Sequence, residues 1–327
     1  MSSEPFERFV LTFGEAMGML VAQSPGPLDS VEHFQRRLAG ADNNVAIGLA
    51  RLGFRVSWLS RVGRDSMGEY IRRTLTAEGI DDRYIVTDPA HSTGLVFKER
   101  AENGADPRVE YFRRGSAASH LSTVDADAVD FASLDHLHVT GITPALSESA
   151  LALTRRLMER ARANGATISF DPNLRPTLWS SEALMRDTLN ELAGLADWVL
   201  PGLAEGERLT GADTPETIAD FYLERGASAV IIKLGPEGSY YRGRLDGKLE
   251  SLSVAGQPVE RVIDTVGAGD GFAVGAISAL LEGLPPARAL ARGNLIGAQA
   301  VQVVGDMEGL PSRATLETLE SNNHSIA

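Results

Sequence analysis

The sequence predicts an α/β protein built on a mostly parallel sheet with helices on both faces, carrying a small lid made only of β-strands. Strand and helix patterns alternate with short links near the N-terminus and again from Asp135 onward, which implies parallel strands joined by helical crossovers. Between these stretches the rhythm breaks into two extended runs with no helix between them. The chain has 327 residues, enough for one large α/β domain or two smaller ones. No internal repeat, low-complexity tract or linker interrupts it, so the expected organisation is one domain over residues 1–327, with lid segments at about 15–36 and 91–116.

The elements follow in order. Residues 9–13 form an apolar strand ending at Gly14 and Glu15. Residues 43–52 carry apolar side chains at helical spacing (Val45, Ile47, Leu49, Leu52) and stop at Gly53. Residues 56–62 read as the next strand and 67–78 as the next helix, ending at Gly79. Residues 93–100 and 108–113 are the extended runs, separated by a turn rich in Gly, Asn, Asp and Pro. Alternation along the second run puts Val109, Tyr111 and Arg113 on one face. A two-stranded hairpin is rarely stable alone, so the pair is expected to lie over the main sheet with the extended segment 19–34. Further strands are expected at 136–140, 167–171, 198–200 and 229–234, and helices at 147–164, 181–193, 214–225 and 287–303. A small meander is expected at 238–242 and 248–254, a buried helix over 272–281, and a frayed tail from Ser321.

Hydrophobic residues make up 43% and charged residues 23% of the chain, as in a water-soluble globular protein, and the net charge is −13. That charge argues against a nucleic-acid or anionic-membrane surface. There is no cysteine, which excludes disulfides, thiolate metal sites and a cysteine nucleophile and suits a reducing cytoplasm. No signal peptide or membrane-spanning run is visible.

The most informative stretch is Asp264-Thr265-Val266-Gly267-Ala268-Gly269-Asp270-Gly271-Phe272, directly before the apolar run to Leu281. Gly267, Ala268 and Gly269 therefore fall where backbone N–H groups crowd at a helix N-terminus, a place that attracts an anion. Asp270 stands beside the same hole. A carboxylate there is repulsive unless it has work, and taking a proton from an attacking hydroxyl is such work. A plain loop-to-helix junction is the simpler reading of a bare Gly-x-Gly, but the whole string is more specific.

Other clusters fall at C-terminal strand ends, where open α/β sheets bind ligands. Arg175, in the segment 171–175 with Asn173, could reach a phosphate. Glu205 could hold a metal-bound water. The glycines of Lys233-Leu234-Gly235-Pro236-Glu237-Gly238 would let a nucleotide approach. Each alone reads as a solvated turn; together with the Asp264 string they point to a nucleotide site. Gly40 and Ala41 are small, and Asn43 and Asn44 offer donors and acceptors to a polyhydroxylated ligand, though Asp42 or Asn43 could simply cap a helix. Arg113 and Arg114 near the lid could bind a carboxylate or protect an edge strand. His136 and His138 lack a third metal ligand and read as core or edge histidines. Met17 and Met19 read as packing residues, and Ser116 and Ser119 lack the context of a hydrolase nucleophile.

These residues resemble the ribokinase-like (phosphofructokinase-B type) carbohydrate kinases along nearly the whole chain. The string 264–272 is similar to that family's C-terminal signature, and residues 40–44 with Gly63-Arg64-Asp65-Ser66-Met67-Gly68 to its N-terminal one. Within the family, residues 37–46, 111–119, 171–175 and 305–309 look most like the 2-keto-3-deoxygluconate kinases. The resemblance implies a three-layer sandwich and ATP-dependent phosphorylation of a sugar-acid hydroxyl, with Mg²⁺ and a monovalent cation as cofactors. It implies Asp270 as base and Gly267, Ala268 and Gly269 as anion hole. Gly40, Ala41, Asn44, Tyr111, Arg113, Arg175 and Asp306 would line the sugar site. Asn173, Arg175, Lys233, Gly235, Gly238, Gly267, Gly269 and Asn294 would border the nucleotide, and Glu205 would organise Mg²⁺ through water. The expected setting is the cytoplasm, with sugar acid and ATP as small-molecule partners and a homo-oligomer formed through the lid.

The chain departs from the family pattern in three places. Ala39-Gly40 stands for the usual Gly-Gly, Gly202 for the Asn of an Asn-x-x-Glu metal motif, and Val96 or Phe97 for a lid tyrosine. Two rivals follow: a fructokinase or other neutral-sugar kinase, and, from another class, a non-catalytic sugar- or nucleotide-binding regulator, which would not need a base. A nucleoside kinase fits the paired arginines poorly, and no Gly-x-Gly-x-x-Gly follows the first strand to support a dehydrogenase.

Overall fold

A computed structural model of the chain describes residues 8–100, 107–245, 247–303 and 305–324. The strands are β1 (Phe9–Phe13), β2 (Met17–Ala22), β3 (Phe34–Ala39), β4 (Arg55–Gly63), β5 (Ile85–Asp88), β6 (Leu95–Lys98), β7 (Val109–Phe112), β8 (His136–Thr140), β9 (Thr167–Asp171), β10 (Trp198–Val199), β11 (Ala229–Lys233), β12 (Gly238–Leu245) and β13 (Lys248–Ala255). The helices are α1 (Ala41–Arg51), α2 (Ser66–Ala77), α3 (Glu148–Ala163), α4 (Glu182–Ala193), α5 (Leu203–Thr210), α6 (Pro215–Leu223), α7 (Ala268–Leu281), α8 (Pro286–Ala300) and α9 (Arg313–His324).

Nine strands form one sheet in the order β13-β12-β11-β10-β9-β8-β1-β4-β5. The pairs from β11 through β5 are parallel; β12 and β13 add an antiparallel edge. Strand alternation divides the core in two. Phe9, Leu11 and Phe13 of β1 pack among α3, α4, α5 and α6, whereas Val10 packs among α1, α2, α7, α8 and α9. The result is the expected layering of helices, sheet and helices. The second sheet, β3-β2-β6-β7, is the lid. Its β2–β6 pairing is parallel and the others antiparallel. The hairpin turn expected between the two extended runs includes residues 101–106, which lie outside the described residues.

Several boundaries differ from expectation. Helix α7 begins four residues before Phe272, because Gly267 ends the loop in a left-handed conformation and Ala268 through Gly271 already wind. Helix α1 begins at Ala41 with Gly40 as its N-cap and no side-chain cap, so neither Asp42 nor Asn43 caps it. Of the extended segment 19–34, only the ends are strand; residues 28–30 make a single tight turn of helix. Strand β5 and helices α5 and α9 were not expected. Helix α9 runs through His324, so order continues past the Ser321 where fraying was expected; residues 325–327 lie outside the described residues.

Candidate active site

The helix α7 is buried on every side between α1 and α8, and this fixes where its N-terminus points. Gly267 adopts φ 84°, a left-handed conformation that favours glycine, and a Cβ there would stand 2.5 Å from the Asp306 carbonyl oxygen. The first bond of the helical ladder runs from the Gly271 amide to the Gly267 carbonyl at 2.8 Å. The amides of Gly269 and Asp270 lie ahead of that bond and have no acceptor within the helix. They form a donor cluster at the positive end of the helix dipole.

Asp270 closes this cluster. Its Oδ2 accepts a 2.8 Å hydrogen bond from Asn44 on α1, and its Oδ1 a longer one of 3.4 Å from Asn173 after β9. Asn173 sits at φ 39°, which aims its amide inward across the sheet end. Burial raises the Asp270 carboxyl to about 6, with Asp171 adding repulsion, while the Asn44 bond, Lys233 and Arg175 pull the other way. The group is thus held near neutrality, in the range suited to a general base.

Two cavities meet at this point. One, of about 400 Å³, lies between the lid and the sheet and contains Gly40, Ala41, Asn44, Tyr111, Arg113, Asn173, Arg175, Glu205, Gly267, Asp270 and Asp306. The other, of about 340 Å³, is mainly apolar and contains Gly235, Gly238, Ala268 and Asn294 with Val259, Val262, Phe272 and Val301. Lys233, Thr265 and Gly269 belong to both walls. Asn173 and Arg175, on the loop after β9, line the first cavity, which is where the sugar site was expected to include Arg175. Asn294 donates to the carbonyls of Val254 and Ala255 at 3.1 Å each, holding the end of β13 against the second cavity.

The charges are arranged in pairs. Lys233 donates to Asp171 at 2.6 Å; burial opposes its charge, but Asp171, Glu205 and Asp270 hold it above the ordinary lysine value. Arg113 reaches across from the end of β7 to Glu15 at 2.6 Å, and Ser116 also donates to Glu15. Arg175 is exposed and donates only to main-chain carbonyls, of Leu174 at 2.9 Å and Asn173 at 3.4 Å. Glu205 accepts from the amides of Leu174 and Gly202, both at 2.8 Å, so its carboxylate ties the β9 loop to the start of α5. Among the described residues no group of three His, Cys, Asp or Glu side chains is close enough to hold a metal ion directly.

Sequence reasoning did not single out Glu15, Asp42, Lys98 or Asp171 as site residues. Asp42 lies fully buried under the first cavity, and burial pushes its carboxyl up to about 7, with Asp270 adding to the rise. In β6 the inward side chains are Val96 and Lys98. Phe97 faces outward, with its ring 5.5 Å from that of Phe34 and 5.6 Å from that of Phe112. The missing lid tyrosine is therefore replaced on the inner face by Val96. His136 and His138 are core residues: both share the Ser169 hydroxyl at 2.8 Å, and burial holds their pKa values well below the usual range. Met17 and Met19 pack in the lid's own small core and also reach the first cavity.

Residues 7–313 match the family described as pfkB family carbohydrate kinase. The chain belongs to that family. The chain is similar to a 2-dehydro-3-deoxygluconokinase from Bacillus subtilis, 52% identical over 97% of this chain and 96% of that protein. A fructokinase from Escherichia coli is 31% identical over 94% of this chain and 98% of that one. A solved structure titled as a ribokinase II from E. coli in complex with ATP and Mg²⁺ superposes with a TM-score of 0.87 and 30% identity, covering 96% of this chain and 99% of that one. The pfkB kinase described above thus has the ribokinase-like fold, and its sheet, flanking helices and lid are those of an ATP-dependent sugar kinase.

Proposed function

We propose that this kinase phosphorylates 2-keto-3-deoxygluconate on its primary hydroxyl, giving 2-keto-3-deoxy-6-phosphogluconate and ADP. The carrying observation is Arg175. Its guanidinium lines the cavity that holds Asp270 and has no carboxylate partner among the described residues, so an acid sugar would supply the missing anion. The 52% identical relative named 2-dehydro-3-deoxygluconokinase supports the same reading.

In this reading the sugar occupies the lid-side cavity and ATP the apolar one, with its phosphates crossing the shared wall of Lys233, Thr265 and Gly269. Asp270 takes the proton of the hydroxyl as its oxygen bonds to the γ-phosphorus. The bond from that phosphorus to the bridging oxygen of ADP breaks. The amides of Gly269 and Asp270, in the turn opened by Gly267 and Ala268, hold the charge on the transferring group. Asn44 and Asn173 orient the base. Gly40, Ala41, Tyr111, Arg113 and Asp306 shape the sugar site, and Gly235, Gly238 and Asn294 the nucleotide site. Both Glu205 oxygens are engaged by amides, and the position three residues earlier is Gly202. A magnesium ion fits here only through its waters and the nucleotide phosphates, with Glu205 accepting from those waters. The ion would neutralise charge on the phosphates; a monovalent cation is a further element of the proposal. Closure of the lid excludes water from the γ-phosphate.

A neutral sugar such as fructose is the second reading, favoured by one observation: Arg113 already has a carboxylate partner in Glu15. Turnover of a panel of sugars and sugar acids with ATP and Mg²⁺, read as ADP release, decides between them. A preference for fructose over 2-keto-3-deoxygluconate would overturn the acid-sugar reading. ADP release with neither class would favour the regulator. The exposed Tyr111 and Phe112 on the lid edge support assembly into a homo-oligomer through that face, and the absence of cysteine fits work in the cytoplasm.

A further inference from the structure

Lys98 is the one charged residue of β6, it is 4% exposed, and the reaction above gives it no role. Its ammonium lies 2.6 Å from Asp264 Oδ2 and 3.8 Å from Asp306 Oδ1. Both residues border the amide cluster, Asp264 through its carboxylate and Asp306 through its main chain. Asp264 Oδ1 accepts from the Val266 amide at 3.1 Å, one residue before Gly267, and the Asp306 carbonyl packs directly on Gly267. Asp306 Oδ1 accepts no hydrogen bond among the described residues, and burial pushes that carboxyl up to about 7, with Lys98 the main opposing influence.

One lid cation therefore faces both carboxylates beside the amide cluster. Lifting the lid would leave Asp264 and Asp306 without a partner close to Asp270, and a buried carboxylate deprived of its counter-charge is strongly disfavoured. The lid strand and the loop at 264–267 are thus tied together by this ion pair.

We propose that Lys98 is a positioning residue that couples lid closure to the set of the amide cluster. When the lid seats on a sugar, its ammonium draws Asp264, and with it the Val266–Gly267 turn, into register for transfer. The proposal rests on the kinase reading of Asp270 and its amides, but not on which sugar is bound.

The test compares Lys98→Met, Lys98→Arg, Asp264→Asn and the double variant Lys98→Met/Asp264→Asn, on whichever sugar the wild-type enzyme phosphorylates. A wrong sugar assignment thus shows in the wild type and a wrong coupling shows only in the ratios. Misplacing a reacting group by about 1 Å costs on the order of 10²-fold, so Lys98→Met is expected to lose roughly 10–100-fold in kcat with KM for ATP within about twofold. Lys98→Arg, which keeps the charge, recovers most of that loss. Asp264→Asn reproduces it, and the double variant is no worse than the worse single one. Should Lys98→Met not fold, Asp264→Asn and Lys98→Arg still carry the comparison. Wild-type kcat in Lys98→Met or Asp264→Asn, additive losses in the double variant, or a loss confined to melting temperature and KM for ATP would each overturn the coupling.

Discussion

As the proposed base, Asp270 has to be buried to meet the phosphoryl group and ionised to accept a proton, and these demands conflict. The Asn44 bond at 2.8 Å reconciles them by supplying a donor to the charged form without adding a competing charge. Replacing the base with its uncharged isostere, Asp270→Asn, is expected to lower kcat by about 10²–10⁴-fold while ATP and sugar still bind. Turnover within tenfold of wild type would remove Asp270 from the role of base. The same group sets the acid limb of the pH profile. With its carboxyl at about 6 and the ionised form active, kcat/KM is expected to fall about tenfold per pH unit below pH 6 and to level above it. A profile flat down to pH 5 would contradict this. Asp270 could be singled out as a candidate in the sequence because its small neighbours are contiguous with it. Lys98 and Glu15 were not, because their partners stand 166 and 98 positions away along the chain, at Asp264 and Arg113. No local pattern records such pairings.

At the scale of elements, the entry to α7 sets a strict requirement at one position. A methyl group on residue 267 would meet both a left-handed backbone and the Asp306 carbonyl. Gly267→Ala is expected to displace the amides and cost on the order of 10²–10³ in kcat, as loss of a single anion-hole donor does elsewhere. Steady-state kinetics beside a thermal melt separates this from unfolding. The far ends of α7, α8 and α9 are joined by Arg292, which is 4% exposed and donates to Glu282 and Glu320, each at 2.8 Å. Arg292→Ala removes one of two partners of buried Glu282 and leaves it Arg313 of α9, at 2.8 Å. Chemical denaturation is expected to show a loss of about 1.5–3 kcal/mol, and unchanged stability would contradict the account. The long apolar periodicities of α3, α4, α7 and α8 made those helices readable. Strand β5 spans four residues with only its ends buried, and α5 is eight residues with Gly206 in the middle, so neither offers a full period to read. Helix α9 rests on the core chiefly through Leu316 and looks polar in sequence.

On the scale of the whole molecule, the lid has two working faces. The inner one carries Val96, Lys98 and Tyr111 over the sugar cavity, and the outer one carries Phe34, Phe97 and Phe112. Phe112 is 59% exposed, which is costly for an isolated ring and useful in a shared surface. If copies of the chain meet through this face, Phe112→Glu is expected to shift solution scattering toward the monomer. A wild-type protein that is already strictly monomeric would end the idea. Alternation along β7 made its inner face foreseeable, but the parallel pairing of β2 with β6 was not, because it joins segments some 75 residues apart.

Because Lys233, Thr265 and Gly269 are common to the two chambers, no partition of side chains divides them at that seam. A single compound with adenosine at one end, a sugar acid at the other and a run of phosphates between could thread the opening and fill both rooms. Tethering its halves makes the second contact intramolecular, so it is expected to bind roughly 10²–10⁴-fold more tightly than either half. If phosphorus passes through this doorway, as proposed, an inhibitor lodged there would bar it.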